Sequence, residues 1–360
     1  MKQATRIGVI FLTAFGVSTV ATSHAQAMGR KPAPHLIVAL GDSITVGTFS
    51  NTTSSPFRTR SQEPLSRALM FSASSEETST FSAPDEDGWA EAWRRVRSEG
   101  LHALLSPLIY NQSTHSWATG RFLDSHEVRI RRAWKSRGQD PSRLKSLNFA
   151  VPGVEASGLI EQATRLIAHL AAATLESGGE SPQIEYLAMT IGANDICTSA
   201  GGSVVPDAVF ASNLRQAIRI IATGAQAVGH GPANPVRVLI SAIPPIPTAG
   251  APEFQSHEVV AGVTCEKIRR RFFPYCTNLL NWVDEVEFQE RMELVNRKNA
   301  ELESLALESG QTHPELQVVF GASVANARFS PEDLAIDCFH PDLSGQRRLS
   351  DGLWRDQPWY

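Results

Sequence analysis
Five short apolar runs limit what this chain can become. They lie at residues 36–40, 147–150, 184–191, 236–243 and 316–320, and long segments of helical period separate all but the first two. Leu159, Ile160, Ala163, Leu166, Ile167 and Leu170 trace one helical stripe, stopped by Gly178-Gly179. Phe210, Leu214, Ala217, Ile218 and Ile221 trace a second. Phe288, Met292, Val295 and Leu302 trace a third, which ends near Gly310. Nearly continuous apolar strands alternating with helices predict an α/β protein with a parallel sheet buried on both faces. The expected architecture is a three-layer α/β/α sandwich with a central sheet of about five strands.

The amino-terminal stretch reads differently. Lys2 and Arg6 precede an apolar run over 7–21, and Ala25-Gln26-Ala27 follows. That is the layout of a cleavable secretory leader, expected over 1–27, which leaves a single domain over 28–360 destined for the periplasm or the exterior. With the leader removed, 31 Lys and Arg face 37 Asp and Glu, a balance that argues against nucleic acid and against attraction to anionic lipid. A long irregular insertion is expected over about 48–145, rich in Ser and Thr at its start. Within it, Trp89 and Trp93 share one face of an expected helix, and Ser116-Trp117-Ala118-Thr119-Gly120 reads as an ordered loop whose Trp lines a cleft or plugs the core.

In an open parallel sheet the loops after the strands gather at one edge, where sites are built. After the first run comes Gly41-Asp42-Ser43-Ile44-Thr45, which presents the Ser43 hydroxyl. After the second comes Gly153, whose amide is free to donate. After the third comes Gly192-Ala193-Asn194-Asp195, and past the fifth stands Asp337-Cys338-Phe339-His340-Pro341. Each piece alone is ordinary turn chemistry. Together they supply a nucleophile, a base, a group to orient the base and donors for an oxyanion. No dense metal-ligand motif and no phosphate-cradling loop is present, so neither a metal nor an organic cofactor is expected.

These four ordered blocks resemble those of the SGNH hydrolases, also called the GDSL esterase/lipase family. The resemblance implies Ser43 as nucleophile, His340 as base, Asp337 as its orienting partner, and Ser43, Gly153 and Asn194 as oxyanion donors. The residues Ser116 to Gly120 and the Asp-Cys-Phe-His ending are similar to the phospholipase B-like branch, which implies a lipid or lysophospholipid ester as substrate and transient contact with a membrane surface. A carbohydrate O-acetylesterase on the same fold is the alternative, and a catalytically inactive binding module is a third reading that the complete residue set disfavours. Four cysteines in an exported chain are expected to be oxidised. Cys265 and Cys276 enclose a short loop, while Cys197 and Cys338 each flank a motif, so the favoured bonds are Cys265–Cys276 and Cys197–Cys338. The latter would brace the His340 loop directly against the Asn194 loop.

Overall fold
The apolar runs do form one sheet in the computed structural model, which describes residues 33–51, 112–199, 202–260 and 262–360. The leader and the Trp89–Trp93 helix lie outside these residues. In chain order the elements are β1 (His35–Gly41), single-turn α1 (Ser43–Val46), α2 (His126–Ser136), β2 (Leu144–Asn148), α3 (Leu159–Glu176), β3 (Gln183–Thr190) and single-turn α4 (Ala193–Ile196). They continue with α5 (Asp207–Ala227), β4 (Val236–Ser241), α6 (Pro252–Gln255), β5 (Glu258–Val260), β6 (Val263–Thr264), α7 (Cys265–Arg271), α8 (Thr277–Leu280), α9 (Glu285–Thr312), β7 (Leu316–Gly321) and α10 (Leu343–Asp356).

Five strands pair in parallel in the order β2-β1-β3-β4-β7, while β5 and β6 form a separate antiparallel ribbon. The path from β1 to β2 runs one way across the sheet, and the later crossovers run the other way. Right-handed crossovers therefore place α2 on one face and α3, α5 and α9 on the opposite face. Burial agrees with this arrangement. Central β1 is buried from Leu36 to Gly41, and β3 is buried from Tyr186 to Thr190. Of the helical stripes, Leu159, Ala163, Leu166 and Leu170 are buried on α3, as are Phe210, Leu214, Ala217, Ile218 and Ile221 on α5.

Three differences from expectation are local. Strand β2 covers 144–148 rather than 147–150; just past it the Asn148 side chain accepts the Ala150 N–H at 3.1 Å, while the Phe149 and Val151 N–H groups still donate to Ala39 and Gly41 C=O of β1 at 2.9 and 3.0 Å. The described end of the expected insertion is regular: Ser125 caps α2 by accepting from Val128 N–H, and Ile130 and Trp134 bury the helix's inner face. Helix α10 was not anticipated. It starts at Asp342, whose carboxylate accepts the Ser344 and Gly345 N–H groups, and it packs against α2 through an Arg129–Asp351 ion pair.

The cysteine pairing also differs. The bonds are Cys197–Cys276 and Cys265–Cys338, with Cα atoms 4.4 and 5.5 Å apart. Cys265 opens α7 and Cys276 lies beyond its end. Both Cα separations lie within the reach of about 7 Å that a disulfide allows. The expected Cys265–Cys276 and Cys197–Cys338 bonds are replaced by two that fasten the 265–276 segment to both site loops.

Candidate active site
Gly41 ends β1 in a conformation with φ of +133°, and a Cβ there would sit 2.0 Å from the Thr190 carbonyl oxygen. Only glycine fits. The next residue, Asp42, is buried and accepts the Ile44 N–H at 2.9 Å, which caps α1 and places Ser43 at its first turn. Gln162 on α3 holds the turn from behind, accepting from Gly41 N–H at 2.7 Å and donating to Gly41 C=O at 2.8 Å. Gln346 on α10 donates to Ile44 C=O at 3.0 Å and accepts the Trp117 N–H at 2.9 Å. Trp117 is fully buried, so the Ser116 to Gly120 loop plugs the core, and Ser116 Oγ donates to Thr45 C=O at 2.6 Å. The serine turn is thus fixed from both sides of the sheet.

His340 Nε2 lies 2.9 Å from Ser43 Oγ, and His340 Nδ1 lies 2.5 Å from Asp337 Oδ2. Asp337 is fully buried, and its other oxygen accepts the Phe339 and His340 N–H groups, both at 3.1 Å. That bond to the backbone closes the turn around Cys338, which is held at φ of +57° and tied to Cys265. Phe49 stacks on the imidazole with centroids 5.7 Å apart, and Phe339 meets its edge at 5.0 Å. The ring therefore has one settled orientation. Burial pulls the nearby Arg269 guanidinium down to about 10, opposed by the charges of Asp337 and Glu266.

Gly153 and Asn194 face the same cleft as Ser43 and His340, an opening of about 350 Å³ also lined by Thr48, Ser199 and Tyr275. Gly153 has φ of +78° and open space where a side chain would stand. Asn194 donates one amide hydrogen to Val154 C=O at 2.9 Å, which orients its side chain and leaves a second hydrogen. Asp195 anchors this loop from below by accepting the Ala156 N–H at 3.0 Å. Burial pushes the Asp195 carboxyl up to about 6 and the Asp42 carboxyl up to about 7. A smaller apolar pocket of about 50 Å³ shares His340 and Phe339 with this cleft, reaches Ile44 beside Ser43, and opens beneath the loop that follows β4.

All five residues singled out in the sequence converge at the carboxyl edge of the sheet. The two supporting amides, Gln162 and Gln346, were missed. Gln162 carried a signal, since it falls within the apolar stripe of α3 at the spacing of Leu159 and Leu166. Gln346 stands three residues from the buried Leu349 on a helix that was itself unanticipated.

A hydroxyl, an imidazole and a buried carboxylate thus stand in hydrogen-bonded sequence at the carboxyl edge of a parallel α/β sheet. The chain matches the GDSL-like lipase/acylhydrolase family over residues 37–353, and it belongs to that family. Among solved structures, it is similar to LAE5, an α/β hydrolase from the metagenome of Lake Arreo in Spain, with 14% identity over 91% of this chain and 96% of that one, at a TM-score of 0.39. It is also similar to a Parabacteroides merdae structure described as a GDSL-like lipase, with 12% identity, coverage of 90% and 96%, and a TM-score of 0.37. A third is an active-site mutant of a family two carbohydrate esterase from Clostridium thermocellum, with 12% identity, coverage of 90% and 63%, and a TM-score of 0.38. Likenesses this distant carry no inference about substrate. A search of curated proteins finds no match.

Proposed function
We propose that this protein is an exported serine hydrolase that cleaves neutral carboxylic esters through an acyl-enzyme at Ser43. The observation that carries the reading is the continuous chain Ser43 Oγ, His340 Nε2, His340 Nδ1, Asp337 Oδ2, with contacts of 2.9 and 2.5 Å. His340 takes the Ser43 proton as Oγ bonds to the ester carbonyl carbon, and buried Asp337 holds the imidazole in the tautomer that can accept it. The oxyanion develops toward the Ser43 and Gly153 amides and the spare Asn194 hydrogen. When the carbon–oxygen bond to the alcohol breaks, His340 returns the proton to the leaving oxygen. Water, deprotonated by His340, then displaces Ser43 and releases the acid.

The described cleft lining around Ser43 supplies neutral hydroxyl and amide groups, among them Thr48, Asn194 and Ser199, which suit an uncharged ester. This favours an uncharged ester over the lysophospholipid implied by the phospholipase B-like resemblance. The apolar pocket beside His340 favours an alkyl chain over a bare sugar acetyl group. Export is supported by the charged, apolar and small-residue layout of 1–27 and by two disulfides, which suit an oxidising compartment. Among the described residues no helix is long and apolar enough to cross a membrane. The test is hydrolysis of p-nitrophenyl butyrate by wild type and Ser43→Ala. The variant is expected to lose at least about 10⁴-fold in kcat, and unchanged turnover would overturn the reading.

A further inference from the structure
The two cavities that meet at His340 differ in kind. The larger sets Ser43, Gly153, Asn194 and hydroxyl groups beside Pro152, Phe339 and the Cys197–Cys276 bond, whereas the smaller is walled by Ile44, Ile246, Phe254, Leu334 and Phe339, with His340 and Thr248 its only polar side chains among the described residues. The chemistry of an acyl-enzyme assigns them different halves of the substrate. The alcohol must depart and water must take its place beside His340, so that half belongs in the larger cleft, where the hydroxyl and amide groups stand. The acyl group stays bonded to Ser43 through both steps and gains from a dry wall.

We infer that the pocket beneath residues 244–249 holds the acyl chain and restricts the enzyme to short acyl groups of about three to five carbons. This rests on the serine-hydrolase reading above. The restriction follows from volume and stiffness. A water-sized group needs about 10–15 Å³ of such space, so a pocket of about 50 Å³ accepts roughly four methyl or methylene groups. Phe254 and Leu334 close its floor and are 3% and 5% exposed. Its roof begins with Pro244-Pro245, whose φ angles are fixed. Asn299 holds the preceding residue by accepting Ile243 N–H at 2.7 Å and donating to Ile243 C=O at 3.1 Å, and Trp282 Nε1 donates to Pro247 C=O at 2.9 Å. The roof is braced on both sides of the prolines and does not widen for a longer chain.

The experiment is a series of p-nitrophenyl esters from acetate to dodecanoate, each assayed below the concentration at which it aggregates. With wild type, kcat/KM is expected to rise about fourfold per added CH₂ up to butyrate or pentanoate, then fall by octanoate. Phe254→Ala removes part of the floor and should move the maximum to hexanoate or beyond. Ala249→Phe, at a half-buried position on the rim, fills the pocket without depending on the floor packing and should bring the butyrate-to-acetate ratio toward one. A wild-type maximum outside three to five carbons, or a maximum that neither variant moves, overturns the inference. Ser43→Ala assayed on the same series separates the two proposals: activity that persists there removes the serine reading, whereas a dead Ser43→Ala beside a long-chain wild-type optimum removes the pocket assignment alone.

Discussion
Asp42 sits against the nucleophile with no exposure to solvent, and burial pushes its carboxyl from 3.8 up to about 7 despite the Ile44 N–H bond and the charge of His340, which both oppose the rise. A carboxyl whose folded-state pKa lies above its unfolded value binds its proton more tightly in the native chain. Its contribution to stability is fully present below about pH 3.8 and is lost as pH rises through about 7. Between about pH 4.5 and pH 8 that loss amounts to about 3 kcal/mol, at about 1.36 kcal/mol per pH unit. Asp42→Asn keeps an oxygen to accept from Ile44 and removes the titration. Urea unfolding of both proteins across this range gives the difference in stability at each pH. Asp195, pushed up to about 6 by its own burial, titrates in both chains and largely cancels. The variant should gain on wild type by about 3 kcal/mol from the acid to the alkaline end, whatever constant offset the substitution adds. Parallel stability curves would show that Asp42 is ionised in the folded chain across the range and would refute the argument.

Two further outcomes follow from the groups around the site. Gln162→Leu strips the acceptor from buried Gly41 N–H and should cost about 1–3 kcal/mol of stability, with kcat falling more than KM rises because the turn beneath Ser43 loosens; equal stability in urea would contradict this. Joint replacement of Cys265 and Cys338 by Ser frees the left-handed Cys338 turn between Asp337 and His340. Releasing a conformation that costs about 1–3 kcal/mol should lower kcat about tenfold, and circular dichroism is expected to show the fold retained. Unaltered kcat in the double variant would mean that the turn is set by the Asp337 bonds to the backbone alone.

How far the sequence could be read depended on how local each constraint is. β1 is covered on both faces, so its apolar run is continuous and was readable. β2 is an edge strand carrying Lys145 and Ser146, and its pattern was too weak to place its start. The residues at the strand ends were readable because a turn like that at Gly41 tolerates no other residue type and because Asp337 and His340 share one turn. The disulfides were not, since pairing depends on where α7 carries Cys265 relative to Cys276, a distance in space that loop length in sequence misrepresents. The 265–276 segment thereby became the common anchor of both site loops, in place of a direct bond between them. The acyl pocket was invisible for a similar reason: Ile44, the Ile246–Phe254 stretch and Leu334 come from three separate parts of the chain and meet only when the sheet is assembled.

The central claim is that Ser43, activated by His340, forms the covalent intermediate. Its most direct test is stoichiometric reaction of the whole protein with a fluorophosphonate, followed by peptide mass mapping and assay of the residual esterase activity. The account predicts one adduct per chain, on Ser43, with activity lost in proportion to labelling and with labelling slowed by at least about 10³-fold in His340→Ala. An adduct on another residue that accounts for the lost activity, or full activity in protein labelled at Ser43, would contradict it.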